Sequence, residues 1–219
     1  MVCGTIRMLP PASDPVWEHI ARHEAGHAVA YVLASLDLFD NTLGCQYVEI
    51  RPGRTDFRID SRGHGYHCHG VCETSKIYES WRAETTRLLR DNERMRQFLP
   101  SRIRAAEWEI VACLAGPYAE WASRGCRGRD SLRWHTRWYG GADGDLEVVD
   151  AVFEDLCILT KRRASMTRLR ARARQLVFDY AEAIDALTSV LLERQQLEHT
   201  DVISVIASYL PLREQALAA

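Results

Sequence analysis

The feature that most constrains this chain is one uninterrupted stretch, residues 16–38. It holds no proline and a single glycine, Gly26, and it follows Asp14-Pro15. Asp14 suits a helix N-cap and Pro15 suits the first helical position. Ile20, Ala21, Ala28, Val32, Leu33 and Leu36 recur at helical spacing. The stretch is predicted to form a helix of about 20–24 residues, roughly 30–36 Å long. At its centre stands His23-Glu24-Ala25-Gly26-His27. Residues four apart share a helix face, so both imidazoles can reach one ion. Glu24 sits one step round, where it can take a proton from water on that ion. Zinc lowers the pKa of such a water to about 7.

Two histidines leave a catalytic zinc one protein ligand short. His19, Glu120, His135, Asp143, Asp145, Glu147 and Asp150 carry suitable chemistry. His19 precedes His23 by four residues on the same face. A ligand from a different element would instead close the site around the ion, and spacing alone does not choose among the seven. A pair of ordinary histidines on an amphipathic helix would show the same spacing. The helix expected independently at this position favours the metal.

The remainder reads mostly helical. Residues 45–50 and 65–72 lean to strand and are expected to pair as a small ribbon through the polar loop 54–62. Residues 74–98 form an amphipathic helix that ends at Pro100-Ser101. A second, more apolar helix covers 102–123 and is interrupted at Gly116-Pro117. Residues 124–144 are a loop, 145–159 a helix, and 166–196 one long helix. Thr200 caps a last short helix to residue 209.

Composition excludes several classes. The chain has 219 residues, 47% hydrophobic and 26% charged, with a net charge of −2. That balance suits a globular domain and offers no global electrostatic case for nucleic acid or an anionic membrane. No run approaches the length of a membrane-spanning helix, and the first residues lack the pattern of a secretory signal. Seven cysteines, an odd number, argue against a disulfide framework and for a reducing cytoplasm.

Four blocks resemble one family in order. His23 to Ala28 resembles the HEAGHA helix in the peptidase domain of the FtsH-type AAA zinc metalloproteases. Val48-Glu49-Ile50-Arg51-Pro52-Gly53, with Gly63 to Tyr66, resembles that family's ribbon beside the active site. Leu114-Ala115-Gly116-Pro117-Tyr118-Ala119-Glu120 resembles its LAGRAAEE helix, with Pro117 in place of the arginine and Trp121 in place of the last glutamate. Gly141-Ala142-Asp143-Gly144-Asp145-Leu146-Glu147 resembles its TGASNDLE turn. The resemblance implies Asp145 as the third zinc ligand and Glu24 as the catalytic base. It implies substrate pairing along the strand near 65–71. The family's ATPase module and membrane helices have no counterpart in these residues.

Other clusters are weighed beside this motif. His64, His67, Cys68, His69 and Cys72 lie within nine positions and are expected to wall the active site. A second metal site is the sharper alternative, although strand alternation sends His67 and His69 away from Cys68. Glu120 is expected either to orient a ligand histidine or to lie on the helix surface. The basic run from Lys161 to Arg174 spreads round a helix and reads as a solvated face. Cys113 and Cys157 read as core, and His135 and Tyr139 precede Asp145 in the loop.

The expected fold is mainly α with a small β ribbon, a zincin-like HExxH helix packed in a helical bundle. Residues 1–14 are an extension, 15–210 the peptidase-like domain and 211–219 a tail. The expected activity is ATP-independent zinc metallopeptidase action on flexible or unfolded protein segments, with metal ligands His23, His27 and Asp145. Neither nucleic acid nor membrane is expected as partner; a homo-oligomer or a separate unfoldase is compatible. The alternatives are a catalytically silent zinc-binding interaction module and a regulatory peptidase that cuts one partner.

Overall fold

The computed structural model describes residues 15–38, 44–51, 56–59, 65–68, 70–75, 90–124 and 143–210. Helix α1, Pro15–Leu38, forms where the first stretch predicts it. From Ala21 to Leu36 nearly every residue is buried. A helix buried on nearly every side sits inside, and α1 packs against the helices Leu99–Ser123 and Ala181–Arg194 and the strands Gly44–Ile50 and Gly70–Ser75. Its alanines at 21, 25, 28, 30 and 34 let neighbours approach from several sides.

Helix α2, Leu99–Ser123, is the main neighbour of α1. The expected break falls just before Pro100-Ser101: Phe98 is the N-cap and α2 starts at Leu99, not at 102. Pro100 lies in the first turn, where a missing N–H costs no helical bond. The expected interruption at Gly116-Pro117 is absent, and Pro117 sits inside the continuous helix. Its cost is outweighed by burial of the whole surrounding run, Ala106 to Trp121, against α1 and its neighbours. Gly26 lies where the two helices pack closely. A Cβ there would lie 2.8 Å from both the Ala115 carbonyl oxygen and the Ala119 Cβ.

The mainly helical architecture with a small antiparallel sheet is as expected, but the strands pair differently. β1 (Gly44–Ile50) is the centre of a three-stranded sheet, flanked by β4 (Gly70–Ser75) and β5 (Gln196–Glu198). β2 (Asp56–Ile59) and β3 (Gly65–Cys68) form a separate antiparallel pair. The stretch 65–72 is therefore not one strand. The chain changes partner between Cys68 and Gly70, so that Gly70, Val71 and Cys72 lie opposite Ile50, Glu49 and Val48. Thr74 and Ser75 continue β4 rather than opening a helix. The rest of that expected helix, 76–89, lies outside the described residues, as do the extension 1–14 and the tail 211–219. Residues 93–98 form a 3-10 turn.

Helix α3, Asp143–Leu159, starts two residues before its predicted position. The long helix expected over 166–196 is two helices, α4 (Met166–Asp179) and α5 (Ala181–Arg194), separated at Tyr180. Neither glycine nor proline marks that break. It arises because α4 packs on α2 whereas α5 packs on α1. Gln195, in the left-handed region, ends α5 and turns the chain into β5, where Leu197 faces Val48. Helix α6, His199–Ile206, is capped by Glu198 and Asp201 in a reciprocal capping box, not by Thr200. Two arginines of the basic run are used within the fold. Arg168 pairs with Glu107, and the Arg172 guanidinium lies 4.0 Å from the ring centre of Trp108. No helix among the described residues is long and apolar enough to cross a membrane.

Gly26→Val tests the α1–α2 contact. The added carbons have no space, so the variant is expected to lose about 1–3 kcal/mol in urea unfolding. Unchanged stability would show that the two helices can separate freely.

Candidate metal centre

His23, Glu24 and His27 project from the middle of α1, and all three are buried. The two imidazoles meet edge to face, with ring centres 4.7 Å apart. Each ring is held at its Nδ1. His27 Nδ1 lies 2.8 Å from the carbonyl oxygen of Ala112. A carbonyl only accepts, so this nitrogen carries the proton. His23 Nδ1 donates to Oε2 of Glu120 at 3.1 Å. The other carboxylate oxygen of Glu120 accepts from Arg124, with Nη2 at 2.8 Å and Nε at 3.2 Å.

With Nδ1 protonated, Nε2 of a neutral imidazole presents a lone pair. The two Nε2 atoms face each other at 3.0 Å. Asp145 Oδ2, from the first turn of α3, lies 3.0 Å from His23 Nε2 and 3.4 Å from His27 Nε2. Three electron-pair donors thus converge, and a single proton can bridge only two of them. Ligands bound tetrahedrally at about 2.0–2.1 Å stand roughly 3.3 Å apart. The observed separations bracket that edge, so His23, His27 and Asp145 could hold a metal ion. They are the one such group of histidine, cysteine and carboxylate side chains among the described residues.

Two glycines make room for this arrangement. A Cβ at Gly116 would lie 2.3 Å from His27 Nε2, on top of the ligand atom itself. A Cβ at Gly70 would lie 2.6 Å from Oε1 of Glu24. The start of β4 therefore lies directly beside Glu24.

The electrostatics follow from burial and proximity. Burial lowers the His23 pKa, but hydrogen bonds to Asp145 and Glu120 more than offset it, and the result is well above the ordinary value. His27 is likewise lowered by burial and raised overall by Asp145. Burial pushes Asp145 up, yet the two histidines hold it well below the usual carboxylate range. Glu24 is raised by burial, against the opposing pull of His23 and His27.

The other expected residues fall as follows. His19 points to Ser123, with Nδ1 and Oγ 2.8 Å apart, and lies outside the ligand group. Glu120 is a partner of His23 rather than a ligand. Glu147 and Asp150 lie further along α3, outside the group, and Asp143 opens that helix. Cys72 turns to Cys45, with the sulfurs 3.6 Å apart. That contact, burial and the negative charges of Glu24 and Asp145 raise its thiol well above the ordinary value. Cys113 is buried and packs in the core, as expected. His67 and Cys68 lie on β3, whereas His64, His69, His135 and Tyr139 lie outside the described residues. Sequence reasoning missed Gly70, the Ala112 carbonyl and Arg124. The i, i+4 spacing of Glu120 and Arg124 was the available signal for the last.

No protein-family model and no curated protein sequence matches this chain.

Two measurements test the site. Gly116→Ala should keep the helix, because alanine is the better helix former. It should weaken zinc binding at least about tenfold in a chelator competition, by displacing His27. The pH dependence has a definite sign. Raised histidines contribute stability that is complete below pH 6.5 and fades as pH climbs through their folded values. Asp145, held below its ordinary value, contributes a constant amount over this range. The melting temperature of the metal-free protein should therefore decline as pH rises above about 6.5. The stabilisation on adding zinc should grow over the same range, because the ion needs those nitrogens bare.

Proposed function

We propose that this chain is a zinc-dependent metalloendopeptidase of the FtsH-peptidase type. In this reading it acts without its own ATPase and hydrolyses peptide bonds in flexible or unfolded protein segments. The observation that carries the reading is the combination at the middle of α1. The Nε2 lone pairs of His23 and His27 converge with Asp145 Oδ2, and the buried carboxyl of Glu24 lies in their field. A purely structural ion would have no use for that fourth group.

When bound by these three residues, zinc would polarise the scissile carbonyl and acidify water. Glu24 would take the proton of the attacking water and deliver it to the leaving amine. Its raised pKa suits both halves of that task, since a base poised nearer neutrality both accepts and returns a proton. Asp145, kept ionised by the histidines, supplies negative charge at every working pH. Glu120 keeps the His23 proton on Nδ1, as a carboxylate behind a ligand histidine does.

Substrate would lie along β4. This strand pairs with β1 on one side, and no described strand pairs its other edge. An extended peptide could add there through main-chain hydrogen bonds, which are largely indifferent to side chains. Such binding suits segments that are already extended. The free thiols Cys45 and Cys72 support a reducing, cytoplasmic setting for this activity. The order of the four sequence blocks supports the family assignment.

The test compares casein cleavage by zinc-loaded wild type and Glu24→Gln. Wild type should cleave, and the variant should bind zinc equally but lose roughly 10²–10⁴-fold in rate. Cleavage by both would remove Glu24 from its role. No cleavage by either, with about one zinc bound per chain, would instead support an interaction module or a peptidase with one dedicated partner.

A further inference from the structure

We propose that Arg124 is a positioning residue of this centre, acting through Glu120 to decide which nitrogen His23 offers to the metal. The inference rests on the metal-centre reading; Arg124 itself lies outside the four sequence blocks.

Glu120 lies in the last turns of α2 and is 8% exposed. A buried carboxylate needs partners for both oxygens. Arg124, one turn further on, directs two N–H groups at Oε1. This grip leaves Oε2 for His23 Nδ1. The Arg124 side chain is 22% exposed and that of Glu120 10%, so the pair is much less screened than a surface i, i+4 pair. The same turn is tied to α1 a second time. Ser123 Oγ donates to the Glu120 carbonyl oxygen at 2.7 Å and meets His19 Nδ1 at 2.8 Å. Glu120 is thus held by its side-chain partner Arg124 and, through its backbone and Ser123, by His19, one helical turn before His23 on α1.

The consequence is chemical. An imidazole that has lost its Nδ1 acceptor is free to carry its proton on Nε2, and Nε2 of His23 is the atom that faces His27 and Asp145. Removing the Arg124 grip lets the Glu120 carboxylate rotate and releases that choice. Arg124 is joined to His23 by way of the Glu120 carboxylate, so its effect on the metal should run through Glu120.

The experiment is a double-mutant cycle on zinc affinity, with the imidazole tautomer as a second readout. Arg124→Met should weaken zinc binding about 10–100-fold, the usual cost of losing a partner behind a ligand histidine. Glu120→Gln should cost a similar amount. The double variant should bind no worse than Glu120→Gln alone, since Arg124 then has nothing to act through. Arg124→Lys keeps the charge, should fold as wild type does, and should recover most of the affinity. In the metal-free protein at alkaline pH, nitrogen-15 NMR should report His23 with its proton on Nδ1 in wild type. In Arg124→Met the proton should shift toward Nε2. Additive losses in the cycle, or an unmoved tautomer with unchanged affinity, would overturn the proposal. A wild type that binds no zinc but whose His23 tautomer depends on Arg124 would overturn the metal reading and leave the positioning role standing.

Discussion

The rest of the molecule depends on how closely α1 and α2 approach. Gly26 on one helix and Gly116 on the other remove the side chains that would hold the backbones apart. The His27 ring occupies the space above Gly116, and its Nδ1 reaches the Ala112 carbonyl on the same helix. Close approach is therefore both a packing solution and a ligand-setting device. With ordinary residues at these two positions, α1 could still be a helix, but its histidines could not point where they do.

That approach places polar groups in the centre of an alanine-rich core. Burying His23, Glu24, His27 and Glu120 is costly unless each has a partner. The two ring Nδ1 atoms are satisfied from α2, and Glu120 by His23 and Arg124. The inner atoms are not satisfied by one another, because Nε2, Nε2 and a carboxylate oxygen all present lone pairs. The core is thus built with a deficit of positive charge at one point. A proton can fill it in part, which is why both histidines are raised, and a metal ion can fill it fully. A cation held here would be coupled to folding, since His23, His27 and Asp145 come together only when α1, α2 and α3 are packed.

The sheet serves the same centre from the other side. β1 lies against α1 and carries β4 along one edge, which brings the Gly70 backbone against Glu24. β5, three residues long, closes the other edge of β1 and fixes the turn from α5 into α6. The central strand thereby has both edges paired within the fold, and the strand beside Glu24 is an outer one.

Much of this was legible from local pattern. The limits of α1, the shared face of His23 and His27, and the apolar character of 102–123 all follow from residues near one another in the chain, because helix periodicity is a local property. The sheet was not legible. Which strand faces β1 depends on residues more than twenty positions away, and a three-residue strand such as β5 has too few side chains to announce itself. The break at Tyr180 is invisible for the same reason: it is imposed by two different packing partners and not by a breaker residue. Pro117 misled in the opposite direction, because burial of the surrounding helix outweighs one lost hydrogen bond. At the site, sequence order alone left seven candidates for the third ligand, and resemblance favoured Asp145. Convergence of Asp145 with the two Nε2 atoms, and the seating of Glu120 between Arg124 and His23, required packing. Spacing along a helix says which side chains share a face; it says nothing about what another helix brings to meet them.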